Sequence, residues 1–184
     1  MPENGAVIIL CREDKMKLIA ASIMIACAAG GVHAQRLAPV TGFSLDKYLG
    51  TWYEIARMPF KYENGLSDIT ATYSLRDNGK VSVVNRGIRE NGKESVARGK
   101  AKFGASKDTG YLRVSFFLWF YGDYIITDLD PAYQYALVAS PPKYFWILSR
   151  TPHLDSSVVN RLLGRAATLS YDTSKVIMTP QKQQ

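Results

Sequence analysis

Few side chains in this sequence could do metal or covalent chemistry. Both cysteines, Cys11 and Cys27, and one of the two histidines, His33, lie within the first 34 residues. Beyond them stands a single histidine, His153, next to Pro152. Zinc and haem sites draw on several His or Cys ligands, so no metal or cofactor is expected. A Ser-His-acid triad would have to use His153, and no Gly-x-Ser-x-Gly elbow, phosphate loop or dinucleotide fingerprint accompanies it. His153 reads more simply as a surface turn residue. Trp52 and Arg150 could be mistaken for a catalytic pair. If Trp52 points into a core, strand alternation sends Glu54 inward as well unless a bulge intervenes. A carboxylate there must be neutral or paired, which makes Glu54 the one candidate for acid–base work inside the fold.

The elements that would position these residues begin after a leader. Met16-Lys17, the apolar run from Leu18 to Ala29 and the small-residue exit Val32-His33-Ala34 read as a secretory signal peptide behind an upstream extension, so that 1–34 stand apart from 35–184. Cleavage after Ala34 is the favoured route. A second route, lipidation at Cys27, rests on the imperfect box Met24-Ile25-Ala26-Cys27. Residues 35–184 are the length of one domain with one core. They keep the whole net charge of +7, because the leader carries three basic and three acidic residues. Bases and acids are interleaved along the chain with no compact basic stripe. That argues against nucleic acid as a partner and leaves attraction to an anionic membrane surface open.

Strand signals then recur at short spacing, over 52–58, 69–75, 81–88, 95–103, 111–117, 121–129, 133–139 and 144–150. Asn78-Gly79 and Asn91-Gly92 mark hairpins. Pro131 and Pro141-Pro142 fall between strands, where a missing N–H does no harm. Asp155 can cap a helix with Val158, Val159, Leu162, Leu163 and Ala166 on one face. A last strand is expected over 175–178. Eight antiparallel strands followed by one helix describe an all-β, up-and-down barrel with a C-terminal helix packed outside and a short final strand, and such a barrel has room for one small ligand.

Three stretches carry a family resemblance. Gly50-Thr51-Trp52 at the first strand, Thr127-Asp128-Leu129-Asp130 near the turn that ends the sixth and Ser149-Arg150-Thr151 after the eighth resemble the three signature regions of the lipocalins. The longer runs Tyr48 to Arg57, Thr70 to Arg76 and Trp146 to Pro152 are similar to the bacterial, apolipoprotein D-like branch. The resemblance covers about 43–181. It implies that Gly50, Trp52, Asp130 and Arg150 are structural, with Arg150 packed over Trp52 at the closed end. It also implies a non-enzymatic carrier of a fatty acid or lysophospholipid. Its setting would be the periplasm or the periplasmic face of the outer membrane, serving membrane maintenance under stress and anchored if Cys27 is lipidated.

For the pocket, alternation places Leu112, Val114 and Phe116 on the inner face of the fifth strand. If Arg150 faces the closed end, Leu148 and Trp146 point inward too. Tyr121 and Trp146 resemble the pocket tyrosine and tryptophan of bacterial lipocalins. The aromatic run Phe116-Phe117-Leu118-Trp119-Phe120-Tyr121 cannot all face inward, which leaves two readings: half of it lines the barrel and half covers the helix contact, or it forms a greasy lip at the mouth able to touch a membrane, or a second copy in a homodimer. Two other functions stay open: an isomerase or epoxide-modifying enzyme built on Glu54, and a membrane-docking interaction module built on the lip.

Overall fold

A computed structural model describes residues 37–117 and 119–182. The expected signal peptide, the cut after Ala34, Cys27 and Leu118 lie outside the described residues. A four-residue helix, α1 (Leu45–Tyr48), leads into eight strands. They are β1 (Gly50–Arg57), β2 (Leu66–Leu75), β3 (Val81–Arg89), β4 (Glu94–Phe103), β5 (Tyr111–Phe117), β6 (Phe120–Leu129), β7 (Tyr135–Ser140) and β8 (Tyr144–Ser149). Helix α2 (Ser156–Thr168), a 3₁₀ turn (Thr173–Lys175) and the two-residue β9 (Ile177–Met178) complete the described chain. Each strand pairs antiparallel with the next, and β1 pairs with both β8 and β2, which closes the barrel. Closure leaves no open edge among the eight strands.

The expected hairpins form, with a difference in detail. Within each Asn-Gly pair only the glycine adopts positive φ, 73° at Gly79 and 78° at Gly92. The Arg76 and Arg89 N–H groups donate to Lys80 O and Lys93 O, and the Gly79 and Gly92 N–H groups donate to Arg76 O and Arg89 O, so each loop has three residues and ends in a left-handed glycine. The stretch before β1 is helical at 45–48, and the last strand is shorter than expected because a 3₁₀ turn takes 173–175.

Alternation sorts the side chains into two cores. Phe145 and Ile147 on β8 face outward, where Ile55, Leu137 and Ala139 join Val159, Leu162 and Ala166 of α2. Asp155 caps that helix through the Ser157 backbone N–H at 2.7 Å. The barrel interior holds Trp52, Tyr73, Val81, Val83, Ala101, Ile126, Val138 and Leu148, with Tyr48 of α1 buried among them.

Near the middle of β1 the barrel wall changes hands. Tyr53 is the last residue of β1 in register with β2, and Ala56 and Arg57 pair with β9 instead. The tail after β9 seals the gap. Gln181 Nε2 donates to the carbonyls of Glu54 and Ile69, and Asp68 N donates to Pro180 O.

Candidate functional site

One end of the barrel is shut by a plug built from the two-residue spacing of Gly50 and Trp52. Trp52 is fully buried and its indole N–H donates to Tyr48 O at 2.8 Å. The Arg150 guanidinium lies 3.9 Å from the indole centroid. It donates to the carbonyls of Thr51, Lys47 and Tyr133 at 2.9, 2.8 and 3.2 Å. Gly50 sits at φ +94°, and a Cβ there would meet Arg150 Nη1 at 3.4 Å. Asp130 Oδ2 accepts from the N–H groups of Ala132 and Gln134, shaping the turn that presents the Tyr133 carbonyl to Arg150. Every side-chain nitrogen of Trp52 and Arg150 thus donates to a backbone carbonyl in closing the barrel.

Above the plug lies a floor of three phenols. Tyr124 Oη is 2.7 Å from Tyr48 Oη and 2.8 Å from Tyr73 Oη. Three hydroxyl protons serve two bonds, so one O–H is left over, and Tyr73 and Tyr124 are the two phenols that line the chamber. Burial pushes all three phenols up, Tyr73 to about 12, so the floor is uncharged. A chamber of about 220 Å³ stands on this floor, walled by Leu148, Trp146, Val114, Val83, Ala71 and Ile69. It continues into a wider chamber of about 630 Å³ at the open end, with Phe60, Glu63, Asn85 and Phe116 on the walls of both. Gly99 matters here: a Cβ would come within 2.8 Å of the Phe116 ring, so bare backbone on β4 lets that ring lie across the mouth.

One polar cluster interrupts the apolar wall. Glu54 is 3% exposed, and its Oε1 accepts from Thr179 Oγ1 at 2.5 Å. Arg57, equally buried, places Nε 3.7 Å from Glu54 Oε1 and 3.5 Å from Glu63 Oε2, and Nη2 donates to Glu63 O at 2.7 Å. Trp146 Nε1 donates to Glu63 Oε2 at 3.1 Å. Glu63 belongs to the 58–65 loop, so these bonds fold that loop and its Phe60 over the open end, where Phe60 meets Tyr144 and Trp146 edge-on. Burial, and then the neighbouring Glu63, push the Glu54 carboxyl up to about 8; Thr179 and Arg57 oppose the rise. Burial also raises Glu63, against the pull of Trp146 and Arg57. Glu54 is thus held on the protonated side of neutral pH, and Arg57 is faced by both carboxyls. Asn85 Oδ1, buried on the wall of both chambers, accepts no hydrogen bond from the described residues.

Comparison with known proteins assigns this eight-stranded barrel to a family. The model of the lipocalin-like domain matches residues 43–181. The chain belongs to the lipocalin family. Among lipocalins it is 42% identical over 164 residues to the outer membrane lipoprotein Blc of Escherichia coli, spanning 88% of this chain and 92% of that protein. It is 35% identical over 149 residues to apolipoprotein D of Macaca fascicularis, spanning 76% and 77%. In structure it resembles insecticyanin of the tobacco hornworm Manduca sexta, with a TM-score of 0.65 and 26% identity, covering 79% of this chain and 85% of that one.

The lipocalin chamber takes in four of the six residues that the sequence nominated for the ligand: Val114, Phe116, Trp146 and Leu148. Leu112 shares the inner face with them but is wholly buried and does not reach the chamber wall. Tyr121 is placed differently. Val114 pairs with Gly122, so Gly122 and Tyr124 face inward and Tyr121 faces out. Its ring lies 4.6 Å from Lys102 Nζ and 5.7 Å from Lys100 Nζ. The inward tyrosine of β6 is Tyr124. The same alternation that found β5 and β8 would have found Tyr73 and Ala71 on β2 and Val83 and Asn85 on β3. Glu63 and Phe60 carry no such signal, because they reach the chamber from a loop.

Proposed function

We propose that this lipocalin is a lipid carrier that stores or moves one acyl lipid, a fatty acid or a lysophospholipid, within the cell envelope. The observation that carries this reading is the deep apolar chamber running from the Tyr73–Tyr124 floor to an open mouth. Its volume falls in the range of pockets that hold small ligands. An acyl chain laid along it gains about 0.8 kcal/mol per buried CH₂. Glu54, on which an isomerase or epoxide-modifying activity would have to turn, already has its carboxyl engaged by Thr179 and faced by Arg57, which supports a structural role for it.

Export follows from the signal-like segment ahead of 35, and membrane maintenance under stress is the role such a carrier would serve. The name of the E. coli and Vibrio cholerae relatives, outer membrane lipoprotein, supports lipidation at Cys27 over a cut after Ala34. The intact mass of the exported protein separates a chain starting at Gln35 from one starting at a lipidated Cys27.

The carrier reading is tested by titrating a fluorescent fatty acid. Saturable binding at one site per chain, competed by unlabelled fatty acid or lysophospholipid, is the expected result. Absence of saturable binding by either lipid class would remove the reading.

A further inference from the structure

We infer that the rim beside the chamber mouth is a docking surface for an anionic phospholipid bilayer, seated on the β5–β6 turn and backed by the outer face of β4. Three aromatic side chains crown that turn. Phe117, Trp119 and Phe120 are 67, 72 and 65% exposed, which is unusual for residues so apolar. Phe117 and Phe120 stack at 6.4 Å between centroids, and Trp119 leans on Phe120 at 6.0 Å, so they present one surface. Phe117 and Phe120 also line the outer chamber, with Tyr62, itself 70% exposed, on the facing side. A lipid leaving a bilayer pressed against this rim would enter the chamber without crossing water.

Charge selects the occupant. The basic residues that look scattered in the sequence are gathered by the fold. On β4, Arg98, Lys100 and Lys102 alternate outward with Gly99 and Ala101 inward, and Lys102 pairs across to Arg113 of β5. Lys100, Lys102 and Arg113 all lie within 6.0 Å of the Tyr121 ring, immediately below the lip. The acid facing this stripe is Asp123, which is paired with Arg113 at 3.7 Å. Exposed aromatics backed by unpaired lysines fit the interface of a bilayer with anionic headgroups, where aromatic rings settle at headgroup depth and cations meet phosphates. A second copy of the chain would bring its own cations against these, so a self-contact on this face is opposed by charge.

The test reads Trp119 directly. Vesicles of phosphatidylcholine, with or without phosphatidylglycerol, are prepared with brominated acyl chains, and quenching in the full chain is compared with that in Trp119→Phe. The difference isolates the lip from Trp52 and Trp146. Quenching of Trp119, stronger when phosphatidylglycerol is present, is expected. Replacing Arg98 and Lys100 by Gln should weaken partition onto phosphatidylglycerol vesicles by about 25-fold, at about fivefold per cation. It should leave fatty-acid titration unchanged, so loss of docking and loss of carriage are separable. An unquenched Trp119 would overturn the inference, as would equal partition of the Gln pair. So would sedimentation of the full chain as a dimer that Trp119→Ser dissociates, since that would assign the lip to a second copy.

Discussion

Replacing Glu54 by Gln should flatten the dependence of stability on pH. The folded state holds the Glu54 carboxyl near 8, against an ordinary value of 4.5, chiefly because it is buried. The folded chain therefore binds a proton that the unfolded chain releases. Stability from this group is whole below about 4.5 and drains away as pH rises toward 8. The gap sets a ceiling of about 5 kcal/mol, at 1.36 kcal/mol per pH unit, and solvent entering the chamber will lower it. Glu63 shifts in the same direction and adds a smaller slope. Gln mimics the neutral carboxylic acid in shape and can still accept from Thr179. Urea unfolding, followed by tryptophan fluorescence from pH 5 to 9, should show the parent losing several kcal/mol. The Glu54→Gln protein should match it near pH 5 and exceed it near pH 9. Parallel curves for the two proteins would refute the assignment of a buried, protonated Glu54.

Other substitutions separate the chamber from the plug. Trp146→Ala, which removes a wall and the donor to Glu63, should weaken fluorescent fatty-acid binding roughly tenfold or more; unchanged affinity would take Trp146 off the ligand path. Tyr121→Ala should leave that affinity unchanged, because the ring faces solvent and cations; a large loss would restore Tyr121 to the pocket. Arg150→Ala removes three hydrogen bonds to carbonyls and the contact with Trp52, so it should cost about 2–4 kcal/mol in urea unfolding. A cost near zero would contradict the plug.

The barrel was legible because each strand obeys one local rule. Alternation on β5 and β8 sorts Val114 from Arg113 and Trp146 from Phe145, and Asn-Gly pairs mark two of the turns. The plug was legible from Gly50, Trp52 and Arg150, residue types too large or too bare to be placed idly. What escaped has physical reasons. Helix α1 spans four residues, too few for a period to show. Tyr121 was misplaced because its pocket role was carried over from a resemblance and not from alternation; Val114 pairs with Gly122, which puts Gly122 and Tyr124 on the inner face and Tyr121 on the outer one. The partners of Glu54 were hidden because Thr179 is 125 residues away in sequence and Glu63 folds back from a loop. The basic stripe was hidden because spacing by two along β4 means nothing until Arg113 is brought beside it.

The central claim, that the chamber holds one acyl chain standing on the tyrosine floor, meets its most direct test in native mass spectrometry of the protein and of Ala71→Phe. Ala71 lines the inner chamber, and a benzyl group there fills the space just above Tyr73 and Tyr124. The parent should retain one fatty acid or lysophospholipid per chain, and Ala71→Phe, folded by circular dichroism, should retain little or none. Equal lipid occupancy in the two proteins, or a parent that never carries lipid when supplied with it, would contradict the account.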